Sequence, residues 1–152
     1  MGLFSQISQS VYNFVIGRTY DNTVIVKQAS DLANIDSSKN YMIDGAIDMG
    51  STPIVVPSGG LSLAGLNGAR DTSQLYSTAE NYTMFVSPVG SYSGDLLLES
   101  CTIEVSGANS KAFDLDNDEN ANAVDIQGVN FVNCTELGEF TDYRQFALQA
   151  GS

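Results

Sequence analysis

The stretch Val124–Asn130 reads VDIQGVN, and the same pattern occurs at Leu96–Thr102 (LLLESCT) and at Leu61–Asn67 (LSLAGLN). In each copy, apolar residues alternate with other residues for four positions. A small residue, an apolar residue and Asn or Thr then follow. Alternation with a period of two is typical of a β-strand whose two faces differ. The three copies therefore predict three equivalent strands, each ending in a bend.

Weaker copies of the pattern extend this repeat in both directions. Tyr41–Ile47 (YMIDGAI) has Ala46 in the third apolar place and departs at the last place, and FALQAGS from Phe146 starts as a fifth copy. The first four copies begin at positions 41, 61, 96 and 124, so their spacings are 20, 35 and 28 residues. Repeats of about this length, made of short strands and polar turns, are typical of a solenoid.

Further short strands accompany the repeat and point to one fold class. They lie before the later copies, at 54–56, 84–86 and 113–115, and after the last two copies, at 103–105 and 131–132. We expect an all-β fold, a right-handed parallel β-helix. Irregular spacing suits this form better than the left-handed form, which keeps a strict hexapeptide period. An antiparallel β-sandwich is the alternative, because it allows the same alternation.

The last places of the pattern carry structural predictions. The small residue at Gly45, Gly65, Ser100 and Gly128 stands where the chain must bend, and glycine reaches positive φ without a Cβ clash. The Asn or Thr that follows is expected to stack on its equivalents in a side-chain hydrogen-bond ladder. That ladder would contain Asn67, Thr102 and Asn130.

The N-terminal part of the chain reads differently. Residues 1–20 form one predicted unit, an amphipathic helix that plugs a neighbouring core, docks onto a partner, or does both. Its partner-binding stripe is Leu3, Phe4, Ile7, Val11 and Phe14, and Gly17 is the predicted stop. The second unit is a β-helix over 21–152, expected to continue or to be capped beyond 152. It opens with a strand in TVIVKQ and a helical turn over DLANI that Ser30 caps.

Composition excludes several classes of function. The chain has 18 acidic and 6 basic residues, a net charge of −12, which disfavours nucleic-acid binding. It has no His, so Ser-His-Asp, Cys-His and His-ligated zinc sites are excluded. The two cysteines are expected to be free thiols in a reducing compartment. No signal peptide and no membrane-spanning run is visible, and no cofactor is predicted.

The segment 114–128 (DLDNDENANAVDIQG) resembles a calcium loop at first, because four aspartates recur along it. An EF-hand loop needs Gly at its sixth place and flanking helices, whereas Glu119 stands there between two predicted strands. Strand alternation turns Asp114 and Asp125 outward and leaves a polar turn between them. We therefore predict a seam between two coils and no metal site.

Catalytic residues are not predicted. The nearest acid pairs, Asp44 with Asp48 and Asp95 with Glu99, would stand about 13 Å apart on a strand, too far for a glycosidase. A lyase would need a base beside bound calcium, and Arg70, Lys111 and Arg144 lack such acids. Carbohydrate binding without chemistry is a further hypothesis, with Tyr76, Tyr82 and Tyr92 as stacking rings. These rings could equally cover the coil or pack against a neighbouring subunit.

The run 40–68, followed by segments such as LLLESCTIEV and VDIQGVNFVNC, resembles β-helical virion proteins of tailed bacteriophages: tailspikes, tail fibres and head fibres. The likeness is one of pattern, covers about residues 40–148 and has fewer coils than an enzymatic tailspike. It implies a structural protein of the virion, made in the host cytoplasm and assembled as a homotrimer. It also implies portal, tail or capsid partners and a host surface polysaccharide. The alternative is a β-helix protein that binds or degrades polysaccharide.

Overall fold

A computed structural model describes residues 22–149. These residues form fourteen short strands and two 3-10 turns, at Ala29–Leu32 and Leu66–Gly68. In chain order the strands are β1 Thr23–Val26, β2 Asn40–Ile43, β3 Ala46–Asp48, β4 Ile54–Val55, β5 Leu61–Gly65, β6 Gln74–Ser77, β7 Thr83–Val86, β8 Leu96–Glu99, β9 Thr102–Val105, β10 Lys111–Asp116, β11 Ala123–Gln127, β12 Asn130–Phe131, β13 Gly138–Thr141 and β14 Gln145–Leu148.

The strands form three parallel sheets. Sheet 1 has the order β1-β2-β5-β8-β11-β14, sheet 2 the order β12-β9-β6-β3, and sheet 3 the order β13-β10-β7-β4. From β2 onward the chain visits sheets 1, 2 and 3 in that order and then starts again; one such passage is called a coil below. This all-β arrangement is compatible with a solenoid. The antiparallel sandwich is wrong for residues 22–149, because every strand pairing there is parallel.

The three strong copies of the repeat stack in register in sheet 1. Leu61 pairs with Leu96 and Leu96 with Val124, and the apolar residue two places later follows the same rule. The fifth copy also fits, since Phe146 pairs with Val124. The alternation thus correctly predicted the buried side chains of β5, β8 and β11, whereas Phe146 and Leu148 of β14 are 49% and 55% exposed.

The fourth copy was aligned wrongly. Tyr41 pairs with Leu63 and not with Leu61, and Ala46 belongs to β3 in sheet 2. A shift of two residues keeps the same side chains on the inner face, so sequence alternation does not exclude it. The strands predicted at 54–56, 84–86 and 113–115 are confirmed and lie in sheet 3, and those predicted at 103–105 and 131–132 are confirmed as well. The strands β3, β6 and β13 were not predicted.

The N-terminal end of the described chain is closed by the first 3-10 turn. The predicted strand in TVIVKQ is confirmed as β1. Ser30 lies inside the turn and does not cap it; the Asp31 carboxylate accepts the backbone N–H groups of Lys27 at 2.9 Å and Gln28 at 3.2 Å. Leu32 is fully buried and joins the core. The helix predicted over residues 1–20 lies outside the described residues.

Aromatic rings stack from coil to coil inside the last coils. The ring centroids of Phe85 and Phe113 are 5.0 Å apart and nearly parallel, and those of Phe113 and Phe140 are 4.9 Å apart. Phe140 continues to Phe146 at 4.8 Å. Such ring pairs add about 0.5–1.5 kcal/mol beyond the apolar area they bury. The last of these pairs joins sheet 3 to sheet 1, and its Phe146 ring is 49% exposed.

Small residues occur at the corners for two different physical reasons. Gly45 and Gly128 have φ of +87° and +61°, and Ser100 has +49°, as predicted for a bend. Gly65 differs, because its φ is −69° and Asn67 takes the positive φ nearby. A Cβ at Gly65 would collide with the Ser100 carbonyl oxygen of the next coil. Glycine is needed there for space and not for φ.

Hydroxyl groups at the corners satisfy backbone carbonyls of the preceding coil. Ser73 Oγ donates to the Ile43 carbonyl at 3.1 Å, and Ser110 Oγ donates to the Ala79 carbonyl at 2.7 Å. Thr135 Oγ1 donates to the Gly107 carbonyl at 2.8 Å. Corner carbonyls lie outside the strand ladders, so burying them without a donor would cost about 1–3 kcal/mol each. These bonds therefore lock the coils to one another.

We expect Gly65→Ala to lower the free energy of unfolding by about 1–3 kcal/mol, because the added methyl group must push the Ser100 carbonyl away. Urea unfolding followed by circular dichroism measures the change. Ser62→Ala, on the other face of the same strand, is the matched control and should stay within about 0.5 kcal/mol of the parent. Equal unfolding midpoints for Gly65→Ala and the parent would contradict the close approach.

Candidate functional site

A pocket lies at the corner between sheets 1 and 2. It is formed where the connection from β5 to β6 folds over the corners of the next two coils. Its volume is about 460 Å³. The residues that line this corner pocket are Gly68, Ala69, Arg70, Asp71, Thr72, Ser100 and Gly128. It therefore combines one connection with the corners of the stack beneath it.

Two side chains of the stack hold the pocket-forming connection in place. Thr102 Oγ1 donates to the Arg70 carbonyl at 2.8 Å, and Asn130 Nδ2 donates to Asp71 Oδ1 at 3.3 Å. Thr102 and Asn130 do pair in register, but Gln74 fills the place predicted for Asn67. The predicted Asn/Thr ladder is therefore wrong. These side chains bond to the connection instead, Thr102 to its backbone and Asn130 to its Asp71 side chain.

The lining of the corner pocket is polar and small. Arg70 Nε stands 3.7 Å from Asp71 Oδ1, with both side chains more than a third exposed, so this ion pair contributes little stability. Ser100 and Gly128 form a floor without bulky side chains, and a Cβ at Gly128 would meet nothing closer than 3.7 Å. Guanidinium, carboxylate and hydroxyl groups around an open floor suit a ligand rich in hydroxyl groups.

An acidic pair lies on the outer face of sheet 1 beside this corner. Burial raises the pKa of Glu99, and the charge of Asp125 raises it further. Asp125 is itself bonded, because Gln127 Nε2 and Gln149 Nε2 donate to its carboxylate at 3.0 and 2.9 Å. Asp125 thus belongs to a hydrogen-bonded surface of neighbouring strands, and its charge acts on Glu99.

The predicted carbohydrate-stacking tyrosines are not brought together. Tyr76 is half-buried in sheet 2, whereas Tyr82 is only 5% exposed and its hydroxyl donates to the Thr52 carbonyl at 2.6 Å. Tyr92 is 45% exposed in the connection from sheet 3 to sheet 1. Burial also raises the pKa of Tyr82 well above its usual value. Of the three rings, Tyr92 is the most exposed.

The carboxylates weighed as catalytic pairs take part in local bonding. Asp48 Oδ1 accepts the Gly50 N–H at 2.9 Å, and Asp44 stands 3.8 Å from the Lys27 ammonium group. Asp95 Oδ1 accepts the Ala123 N–H of the next coil at 2.8 Å. Each group thus supports a turn, an ion pair or the stack.

The acidic turn after β10 is organised by one amide side chain, Asn117, which is 1% exposed. Its Oδ1 accepts the N–H groups of Ala121 and Asn122, both at 3.0 Å, and its Nδ2 donates to the Ser93 carbonyl at 2.8 Å. Sequence reasoning missed this residue, although Asn is a common turn former because its side chain mimics backbone groups. The predicted outward position of Asp114 is confirmed. Within residues 22–149, no group of three His, Cys, Asp or Glu is arranged to hold a metal ion.

The two thiols are free, as predicted. Cys101 is fully buried, and burial raises the pKa of its thiol to about 12. It therefore stays protonated at neutral pH. Cys134 is half-buried, and its sulfur contacts the Ile103 carbonyl oxygen at 3.6 Å.

The predicted partner-binding stripe, Leu3, Phe4, Ile7, Val11 and Phe14, lies outside the described residues. Between positions 22 and 149, no helix is long and apolar enough to cross a lipid bilayer. Comparison of the chain with protein-family models, curated proteins and solved structures finds no match.

We expect Asn117→Ala to lower the free energy of unfolding by about 1–3 kcal/mol, since the Ser93 carbonyl and two N–H groups would lose their partner. Thermal unfolding measures the loss, with Asp118→Asn, an exposed change in the same turn, as the control. Millimolar calcium should leave the melting temperatures of the parent chain and of both variants unchanged. A calcium-dependent rise in the melting temperature of the parent chain that is absent in Asp118→Asn would instead show that the turn binds a metal ion.

Proposed function

We propose that this chain is a structural protein of a tailed-bacteriophage virion, folded as a right-handed parallel β-helix and assembled as a homotrimer. The observation that carries the proposal is the fixed order in which the chain visits three parallel sheets. Connections between parallel strands of one sheet are right-handed in about 98% of cases, which supports the proposed hand. The phage assignment rests on the resemblance of residues 40–148.

The packing suits a rigid, passive rod. Corner hydroxyls, such as those of Ser73 and Ser110, bond each coil to its neighbour, and the rings of Phe85, Phe113 and Phe140 stack from coil to coil. A protein that must transmit load between a particle and its host needs such stiffness more than it needs a mobile site.

Exposed apolar side chains support assembly. Val89 is fully exposed and Tyr92 is 45% exposed in one connection. A chain with a net charge of −12 repels its copies, so contacts between copies must form through uncharged patches such as this one. We assign the connection around Val89 to the trimer contact. The stripe Leu3, Phe4, Ile7, Val11 and Phe14 is assigned to docking on a portal, tail or capsid protein.

Light scattering should give a mass three times the chain mass of 16.2 kDa. Val89→Asp should lower this mass toward that of one chain, because it places a charge in the apolar contact. Thr78→Asp, an equal change of charge at an exposed position in the connection from β6 to β7, is the control. A monomeric parent chain would contradict the trimer, and co-sedimentation with purified virions tests particle association separately.

A second candidate function is binding of a surface polysaccharide in the corner pocket. The specific observation in its favour is the polar lining of Arg70, Asp71 and Thr72 over a floor of small residues. Such groups bond to sugar hydroxyls in the way that saccharide sites require. This function is compatible with the virion role, since fibres meet host polysaccharides.

We expect Arg70→Ala to weaken binding of soluble bacterial surface polysaccharide at least tenfold, because the guanidinium group supplies the charged donors of the pocket. Isothermal titration calorimetry measures the affinity. The control is Lys27→Ala, which also removes an exposed positive charge. Lys27 follows β1, the strand at one end of the stack. Equal affinities for Arg70→Ala and the parent would exclude the pocket as the saccharide site.

A further inference from the structure

The three sheets end together on one side of the stack. The strands β14, β12 and β13 are the last strands of sheets 1, 2 and 3, and each pairs with another described strand along one edge only. Along the other edge, alternate backbone N–H and C=O groups point away from the stack. The surface formed by these three strands is called the open end below. A strand edge of this kind can pair with a strand of another protein.

Apolar side chains from the inner face of sheet 1 are exposed at the open end. Val124 and Ile126 of β11 are 0% and 1% exposed, whereas their register partners on β14, Phe146 and Leu148, are 49% and 55% exposed. The four side chains share one face of the sheet. They differ because β14 covers β11, whereas no strand described within 22–149 covers β14. Covering Phe146 and Leu148 would remove apolar surface from water, which favours association.

The edge strands lack the features that usually prevent such pairing. Soluble proteins commonly place Lys, Pro or a bulge in a strand whose edge is free. Strand β14 reads QFAL and β12 reads NF, so neither contains a proline or a charged residue. Strand β13 reads GEFT, and its one charged side chain is acidic. A partner strand would therefore meet apolar side chains in sheet 1 and a carboxylate in sheet 3.

This carboxylate, Glu139, determines the charge that a partner strand needs. On the outer face of sheet 3, Asp114 of β10 stands in register with Glu139. Like charges directly opposite each other on neighbouring strands are unfavourable. Lys111 Nζ stands 3.4 Å from Asp114 Oδ2, but no basic residue of the described chain forms an ion pair with Glu139. A Lys or Arg in the next rung would stand beside Glu139 and supply that charge.

The charges around the open end disfavour a second copy of this chain as the partner. Residues 130–149 expose three acids, Glu136, Glu139 and Asp142, against one base, Arg144. Two open ends facing each other would bring these acids together, and each chain has a net charge of −12. The resulting repulsion opposes contact between copies at this end and attracts a basic partner.

We propose that the open end binds a strand-forming segment of a basic partner protein, which adds one rung to sheets 1 and 3. The segment places apolar side chains over Phe146 and Leu148 and a Lys or Arg beside Glu139. The contact is formed by described residues alone, so it depends neither on the virion assignment nor on the trimer contact around Val89.

The probe for this contact is a synthetic peptide that copies residues 110–127 with Asp114→Lys and Asp125→Lys. This segment contains β10, the acidic turn and β11, so it supplies one strand for sheet 3 and one for sheet 1. The same peptide without the two substitutions is the control. Fluorescence anisotropy with the full chain should show at least tenfold tighter binding of the basic peptide. Its affinity should fall at least fivefold between about 0.05 and about 0.5 M salt, because salt screens exposed charges.

Variants of the chain locate the binding surface. Glu139→Lys and Leu148→Asp should each weaken binding of the basic peptide at least tenfold. Glu80→Lys and Thr78→Asp make the same two changes of charge at exposed positions in the connection from β6 to β7 and should leave the affinity unchanged. Hydrogen exchange of the bound parent chain should slow in β13 and β14 and stay unchanged in β1.

Three results would overturn the proposal. They are equal affinities of the two peptides, unchanged affinity in Glu139→Lys, and protection from exchange outside β13 and β14. If Leu148→Asp loosens the last coil, so that β14 exchanges fast without peptide, Glu139→Lys decides alone. Light scattering should give Leu148→Asp the same mass as the parent chain. A lower mass would overturn the proposal as well, because a second copy would then occupy the open end.

Discussion

The stacking of each coil on the next at strand spacing is the constraint on which the rest of this structure depends. Parallel strands in three sheets stand about 4.8 Å apart, and the corners between sheets must keep the same separation. Backbone then meets backbone directly. A Cβ at Gly65, Gly107 or Gly138 would collide with a carbonyl oxygen of an adjoining coil. Glycine is therefore required at these corners by neighbours that are distant in sequence.

The same constraint decides where polar groups are buried. At the corners the backbone leaves the strand ladders, and its carbonyls need other donors. Ser73, Ser110 and Thr135 supply these donors from the following coil, and Asn117 of the acidic turn does the same for the Ser93 carbonyl. Polarity in the interior is thus confined to corners, while apolar side chains fill the space between the sheets. The connections outside this scaffold differ in length, and one of them forms the corner pocket.

The sequence predictions were correct where the result depends only on which face of a strand is buried. Alternation identified the inward positions of β5, β8 and β11, because burial of one face is a local property of the pattern. It misplaced the copy at Tyr41, since a register shift of two residues leaves that pattern intact. The ladder expected at Asn67 failed for a related reason. A connection inserted after β5 moved Gln74 into that place.

The sequence by itself determined that residues 22–149 are all-β, that their strands repeat, and which side chains of β5, β8 and β11 face inward. These properties follow from hydrophobic periodicity, which acts within a few residues. Only the tertiary structure decided which strands are neighbours, why Gly65 must be glycine, and how the corner pocket forms. Each of these depends on contacts between residues about 20 to 60 positions apart, and local preference carries no information about them.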